Sequence, residues 1–177
     1  MFADHATDFG AAPSTANNSK ILGSPTDVQM DMTGVAAAAG RQSAKTADLG
    51  AAWSKEWYVE ACIEFETAPA AGGTVDFYWS SSPSGTAAVG NDGGATGLDA
   101  AYTEGSGEED QLLLIGVLPL INNVINIGRI GMFIPPHRFG QMIIINNGST
   151  ALRSTATAMD ETHIVMTPDI PDIQAAA

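Results

Sequence analysis

Positive charge is what this chain has least of: seven Lys and Arg stand against 20 Asp and Glu, for a formal net charge of −13. A surface this negative repels phosphate backbones and anionic membranes, which argues against nucleic-acid binding by counterion release. Any partner is expected to be neutral, basic or metal-bridged. Charge of either sign is sparse, at 15% of residues against about 25% in an average protein. Small and uncharged polar groups must therefore cover much of the surface, as they do in a permanently assembled subunit. Acid-driven solubility accounts for the same composition equally well.

Cysteine is nearly absent. The single Cys62 excludes an intramolecular disulfide, and its place inside a strand pattern reads as a small packing residue rather than a nucleophile. No apolar stretch free of turn residues reaches the roughly 20 residues a transmembrane helix needs. Met1 to His5 shows no basic region leading into an apolar run, so a soluble, unexported chain is expected. Catalytic templates are missing too: there is no glycine-rich phosphate loop, no GxSxG elbow, and no HExxH or CxxC motif. His5, His137 and His163 are scattered. No cofactor is implied.

What the sequence has in quantity is alternation. From Glu56 to Glu66, residues Trp57, Val59, Ala61, Ile63 and Phe65 fall on one face, with Glu56, Glu60, Glu64 and Glu66 on the other. A period of two marks a half-buried strand. Val28, Met30 and Met32 alternate in the same way, and a polar strand is expected near Arg41 to Thr46. Val75, Phe77 and Trp79 share one face of Thr74 to Ser80, which is expected to pair with the Trp57 strand as a hairpin carrying much of the aromatic core.

The second half reads as four more strands. Gln111 to Leu120 is almost continuously apolar, which predicts burial on both faces, by the sandwich core and by a neighbouring subunit or covering loop. Val124 to Ile134 contains Gly128 and Gly131, where a bulge or the close approach of another backbone is expected. Phe139 to Ile145 leads to Asn147-Gly148, a hairpin signal, and Glu161 to Thr167 forms the last strand. About eight strands, with no convincing helix, predict an all-β antiparallel sandwich of jelly-roll connectivity. The domain is expected over residues 26–168, with an extended N-terminal arm over 1–25 and a C-terminal tail over 169–177.

Residues 81–110 form the one long break, rich in Gly, Ala, Thr, Ser and acids. A break of this length reads as a binding loop, with Asp92, Asp99, Tyr102 and Glu104 as candidate contacts. Asn91-Asp92-Gly93-Gly94 invites calcium, yet it lacks the alternating acids and terminal glutamate of an EF-hand loop. No metal is assigned. On the rigid corner Pro135-Pro136-His137-Arg138, pre-ordered contact area makes Pro135, Pro136, His137 and Arg138 candidate interface residues. Arg129 and Arg153 join them as salt-bridge partners for a neighbour's acids, although pairing within the chain serves as well.

Four segments together, Asp8-Phe9-Gly10-Ala11-Ala12-Pro13, Val75 to Ser80, Pro135 to Gly140 and Met159 to Pro168, resemble the small virion structural proteins of tailed bacteriophages. The resemblance covers most of the chain and brings no catalytic signature. It implies a non-enzymatic subunit in the virion, assembled in the host cytoplasm. Such a subunit decorates the head shell beside the major capsid protein or serves tail or fibre attachment. A homo-oligomer is expected, a trimer if it occupies local threefold positions. Two other readings stand beside it. One is a carbohydrate-binding module stacking sugars on Tyr58, Tyr78 or Tyr102; the other, more remote, is a hydrolase using Asp99, Glu104 or Glu108.

Overall fold

A computed structural model of the chain describes residues 26–45, 49, 56–103, 105, 108–154 and 162–169. The expected arm over 1–25 and nearly all of the tail lie outside them. Nine strands form two antiparallel sheets. They are β1 (Thr26–Asp27), β2 (Ala39–Gln42), β3 (Trp57–Glu64), β4 (Thr74–Ser82), β5 (Ala100–Tyr102), β6 (Leu113–Pro119), β7 (Ile125–Phe133), β8 (Phe139–Asn146) and β9 (His163–Pro168). One sheet runs β1-β9-β3-β7, the other β5-β2-β8-β4-β6.

The pairing is nested. β1 pairs with β9, β2 with β8, β3 with β7 and β4 with β6, so the chain is one long antiparallel ribbon whose successive rungs alternate between the two sheets. Rolling that ribbon adds the contacts β3·β9 and β8·β4. This strand order is compatible with a jelly roll, with β5 added at the β2 edge.

Alternation decides which side chains meet between the sheets. Trp57, Val59, Ala61 and Ile63 of β3 face Val75, Phe77 and Trp79 of β4 across one continuous core, joined by Met142 and Ile144 of β8 and Ile164 and Met166 of β9. Trp79 and Phe133 lie with ring centroids 5.2 Å apart, tilted by 48°, an arrangement aromatic pairs favour.

Four expectations about neighbours are corrected. β3 and β4 are not a hairpin but belong to opposite sheets and meet through their inner faces. Val28, Met30 and Met32 do point inward as the pattern requires, but the ladder stops at Asp27 and the segment crosses between the sheets, Val28 N donating to Ile164 O at 2.9 Å on one side and Gln29 O accepting from Ala44 N at 3.2 Å on the other. The polar strand begins and ends earlier than expected, at Ala39 and Gln42. Asn147-Gly148 turns no hairpin, because the next strand lies in the other sheet. Instead Asn146 pins the crossing, its Nδ2 donating to the carbonyls of Ala36 and Thr150 at 3.1 and 2.9 Å and its Oδ1 accepting from Gly148 N at 3.0 Å.

The long break is also more built than a free loop. Setting aside Ser81 and Ser82, which belong to β4, it lies over the outer face of the larger sheet. There Ala95, Tyr102 and Leu112 pack on Tyr78 and Ile143 as a second apolar cluster. Lys45 staples it, Nζ donating to Ser82 Oγ and to the carbonyls of Ser84 and Thr86 at 3.0, 2.9 and 2.8 Å. Burial lowers the pKa of this amine. Under this cover β8, not β6, is the strand buried on both faces.

Two exposed turns hold their carboxylates ionised. Asp31 is lowered below its ordinary pKa by the hydroxyl and then the N–H of Thr33, and Glu66 by the same two groups of Ser154. A folded-state pKa below the unfolded value of about 4 gives stability that is present above that value and lost as pH falls through the folded pKa. The pair of substitutions Asp31→Asn and Glu66→Gln is therefore expected to flatten the acid limb of stability below about pH 4. Thermal unfolding scanned over pH measures it, and an unchanged limb would place that limb's protons elsewhere.

Candidate interaction surface

β6 and β7 are the edge strands of the two sheets on the same side of the sandwich. Each carries one bulge. The β4·β6 register passes from Phe77↔Gly116 to Tyr78↔Leu114, leaving Ile115 unopposed, and the β3·β7 register passes from Val59↔Gly131 to Glu60↔Arg129, leaving Ile130 unopposed. A bulge bends its strand and increases the local twist. Here the two bends turn the edges toward one another. Gly116 faces the carbonyl of Ile130, and Gly131 faces the carbonyl of Ile115, each so closely that a Cβ would lie under 3.0 Å from the oxygen. The side chains of Ile115 and Ile130 are buried at this seam. The backbone approach anticipated at Gly131 is thus made by β6.

The seam leaves an apolar margin. Leu113, Leu114 and Val117 of β6, Ile121 after it, Ile127 and Met132 of β7, and Ile134 beyond it are all exposed, Leu114 at 52%, Ile127 at 51% and Met132 at 58%. Within the chain β6 is covered on one face only: as an edge strand it meets the core with Ile115 and Leu118, and no loop covers Leu114 and Val117. By register Leu114 and Val117 lie on the outer face of the larger sheet and Ile127 and Met132 on that of the smaller, so apolar residues flank the seam on both sides; scattered apolar residues are normal on a surface, but their concentration on two neighbouring edge strands marks a candidate interaction site.

The candidate interface residues divide around this margin. Arg129 lies within it, its side chain 67% exposed, 3.8 Å from Glu60 and with its guanidinium 5.6 Å from the Tyr58 ring centroid. Pro136, His137 and Arg138 continue it exposed, whereas Pro135 is buried. Arg153 is turned inward instead, its guanidinium paired with the buried Glu64, so it serves the fold rather than a neighbour.

The candidate loop contacts are mostly occupied by their own loop. Tyr102, 5% exposed, donates its hydroxyl to Gly93 O at 2.8 Å. Asp99 is exposed but accepts from Arg41 Nε and from Asp31 N at 2.9 and 2.8 Å. The carbonyl of Asp92 accepts from Ser80 Oγ at 2.6 Å, and Glu108 accepts from Gly105 N at 2.8 Å. Glu104 lies outside the described residues. Among the described residues no group of three His, Cys, Asp or Glu is placed to hold a metal ion, and no helix is long and apolar enough to cross a membrane. Buried Cys62 stands opposite His163 on β9.

One signal in the sequence points at the margin directly. The stretch from Gln111 to Met159 contains no Asp or Glu, yet carries Arg129, Arg138 and Arg153. All 20 acids lie on either side of it. The chain that builds β6, β7 and β8 is thus the longest acid-free stretch of an acidic molecule. No protein-family model and no curated protein matches this chain.

Proposed function

We propose that the chain is a non-enzymatic structural subunit of a tailed-bacteriophage virion, a capsid decoration protein docked in many copies on the particle. The observation that carries the subunit reading is the exposed apolar, acid-free margin of β6 and β7. Leaving it in water is unfavourable by about 25 cal/mol for each Å², so it is a surface built to be covered. The assignment to a virion rests on the resemblance of the four segments named above. The carbohydrate-binding alternative loses two of its three stacking platforms, since Tyr78 and Tyr102 are buried and their hydroxyls are engaged inside the protein.

The test is association with the particle. Phage particles banded on a density gradient, from lysates in which this chain is made, are expected to contain it at a fixed ratio to the major capsid protein. Its absence from the banded particles would remove the reading.

A further inference from the structure

We propose that Asn147 is a site of spontaneous deamidation, held back in the native fold by Asp76 on β4 and by Asn146. Asn147-Gly148 is the one Asn-Gly step in the chain, and Asn147 is exposed.

The chemistry needs only water. The backbone nitrogen of Gly148 gives up its proton to solvent and attacks the side-chain carbonyl carbon of Asn147. A C–N bond forms, the bond to Nδ2 breaks, and ammonia leaves with a proton drawn from water. Water then opens the cyclic imide at either carbonyl, which gives aspartate or, with the main chain routed through the side chain, isoaspartate at position 147. Water is consumed, ammonia is released, and nothing is oxidised or reduced. Glycine is the permissive residue at the attacking position, since no Cβ crowds its nitrogen.

In the folded protein both reacting groups are engaged. Asn147 Nδ2 donates to Asp76 Oδ2 at 3.0 Å. Asp76 pairs in register with Ile145, two residues before Asn147, so the amide leans back along β8 and away from Gly148. The Gly148 N–H donates to Asn146 Oδ1 at 3.0 Å, and Nδ2 of Asn146 is anchored on the carbonyls of Ala36 and Thr150. Packing holds Gly148 as well: a Cβ on Gly73 would lie 3.2 Å from its Cα, and a Cβ on Gly148 itself would lie 2.9 Å from a methyl of Leu120. Ring closure requires both hydrogen bonds to break and the Asn147 side chain to swing onto its own backbone. A segment held in this way reacts through its open state, and its rate falls with the population of that state.

The product also strains the junction. Asp76 Oδ1 is buried with no hydrogen-bond partner, while Oδ2 receives the Asn147 amide. Deamidation replaces that donor with a second carboxylate, and like charges this close repel. Isoaspartate further lengthens the backbone by a methylene beside Asn146, at the crossing that Asn146 pins.

The test incubates the full chain at mildly alkaline pH, folded and in urea, and follows the peptide containing position 147 by mass spectrometry. Folded wild type is expected to deamidate there about 100-fold more slowly than in urea, at about tenfold for each of the two hydrogen bonds. Asp76→Ala removes the tether and is expected to react about tenfold faster than wild type when folded, and at the wild-type rate in urea. Asp76→Asn keeps an acceptor oxygen and is expected to stay near wild type when folded. Aged wild type is expected to unfold at a lower temperature than fresh protein.

Equal rates for wild type folded and in urea overturn the proposal, and that comparison decides it alone should Asp76→Ala fail to fold. A folded Asp76→Ala that reacts at the wild-type rate also overturns it. So does an Asp76→Asn that reacts as fast as Asp76→Ala, which would make the charge of Asp76, and not its hold on the amide, the source of protection.

Discussion

Gly131→Ala is expected to destabilise the protein by about 3 kcal/mol, the upper end of what overpacking usually costs. The reason lies in what the new methyl group meets. In most crowded sites a flexible side chain gives way, but here the obstacle is the backbone carbonyl oxygen of Ile115, which cannot rotate aside as the end of a side chain can and is flanked by the paired residues Leu114 and Gly116. Relief requires the two sheet edges to part, which loosens the buried side chains of Ile115 and Ile130 together. Gly116→Ala meets the carbonyl of Ile130 in the same way and should cost as much. Because one opening of the seam accommodates both methyl groups, the double variant is expected to cost clearly less than the two singles added. Gly128→Ala provides the comparison. Its nearest neighbour is a terminal methyl of Leu118, which can rotate, so a loss of about 1 kcal/mol is expected. Urea midpoints at constant m-value measure all four. A Gly131→Ala protein that unfolds at the wild-type midpoint would mean that the edges do not close as described.

The second large effect belongs to Glu64 and Arg153. Glu64 is buried on the outer face of the smaller sheet, with 5% of its side chain exposed. Its Oε1 pairs with the Arg153 guanidinium, while Oε2 has no hydrogen-bond partner. The backbone repeats the link, Arg153 N donating to Glu64 O at 3.0 Å. Removing one member of a buried pair leaves a charge out of water and costs about 3 to 5 kcal/mol, whereas replacing both with neutral groups is often close to neutral. Arg153→Met is expected at the lower limit, about 3 kcal/mol, because the arginine side chain is itself 38% exposed. Adding Glu64→Gln to that variant should recover most of the loss, and a double-mutant cycle from denaturant midpoints tests it. If Arg153→Met alone costs under about 1 kcal/mol, the pair behaves as a surface ion pair and its burial is without energetic weight.

Arg153 shows where reading the sequence alone stopped. Its charge was legible and its partner was not, because Glu64 lies on a strand far away along the chain and only the fold brings them together. The strands themselves were readable where one face is packed: burial alternates from Trp57 to Glu60 and from Thr74 to Phe77, and gives way to continuous burial from Ala61 to Glu64 and from Tyr78 to Ser82, where the outer face is covered too. Alternation assigns faces, however, and not neighbours: the same pattern suits a β3–β4 hairpin, yet the two strands lie in opposite sheets and meet core to core. Nor does it say what lies on an outer face. Tyr78 has the parity of an exposed residue and is covered by Ala95, Tyr102 and Leu112 arriving from the long break. The apolar run of β6 is the converse case: Leu114 and Val117 are outward and no part of the chain covers them. The acid-free stretch from Gln111 to Met159 was present in the sequence throughout, visible only when charge is followed by position rather than summed.

The nested ribbon dictates an order of folding. Contacts between distant residues must overcome the entropy of loop closure before they stabilise anything, which places such all-β domains among the slower folders, at milliseconds to seconds. The innermost rung, β4 with β6, closes the shortest loop, and each rung outward encloses the last. On the ribosome the β3 edge that receives β9 stays unpaired, and open to aggregation, until His163 to Pro168 has emerged. Thr26, made long before Met166, waits for it before it has a place in a sheet.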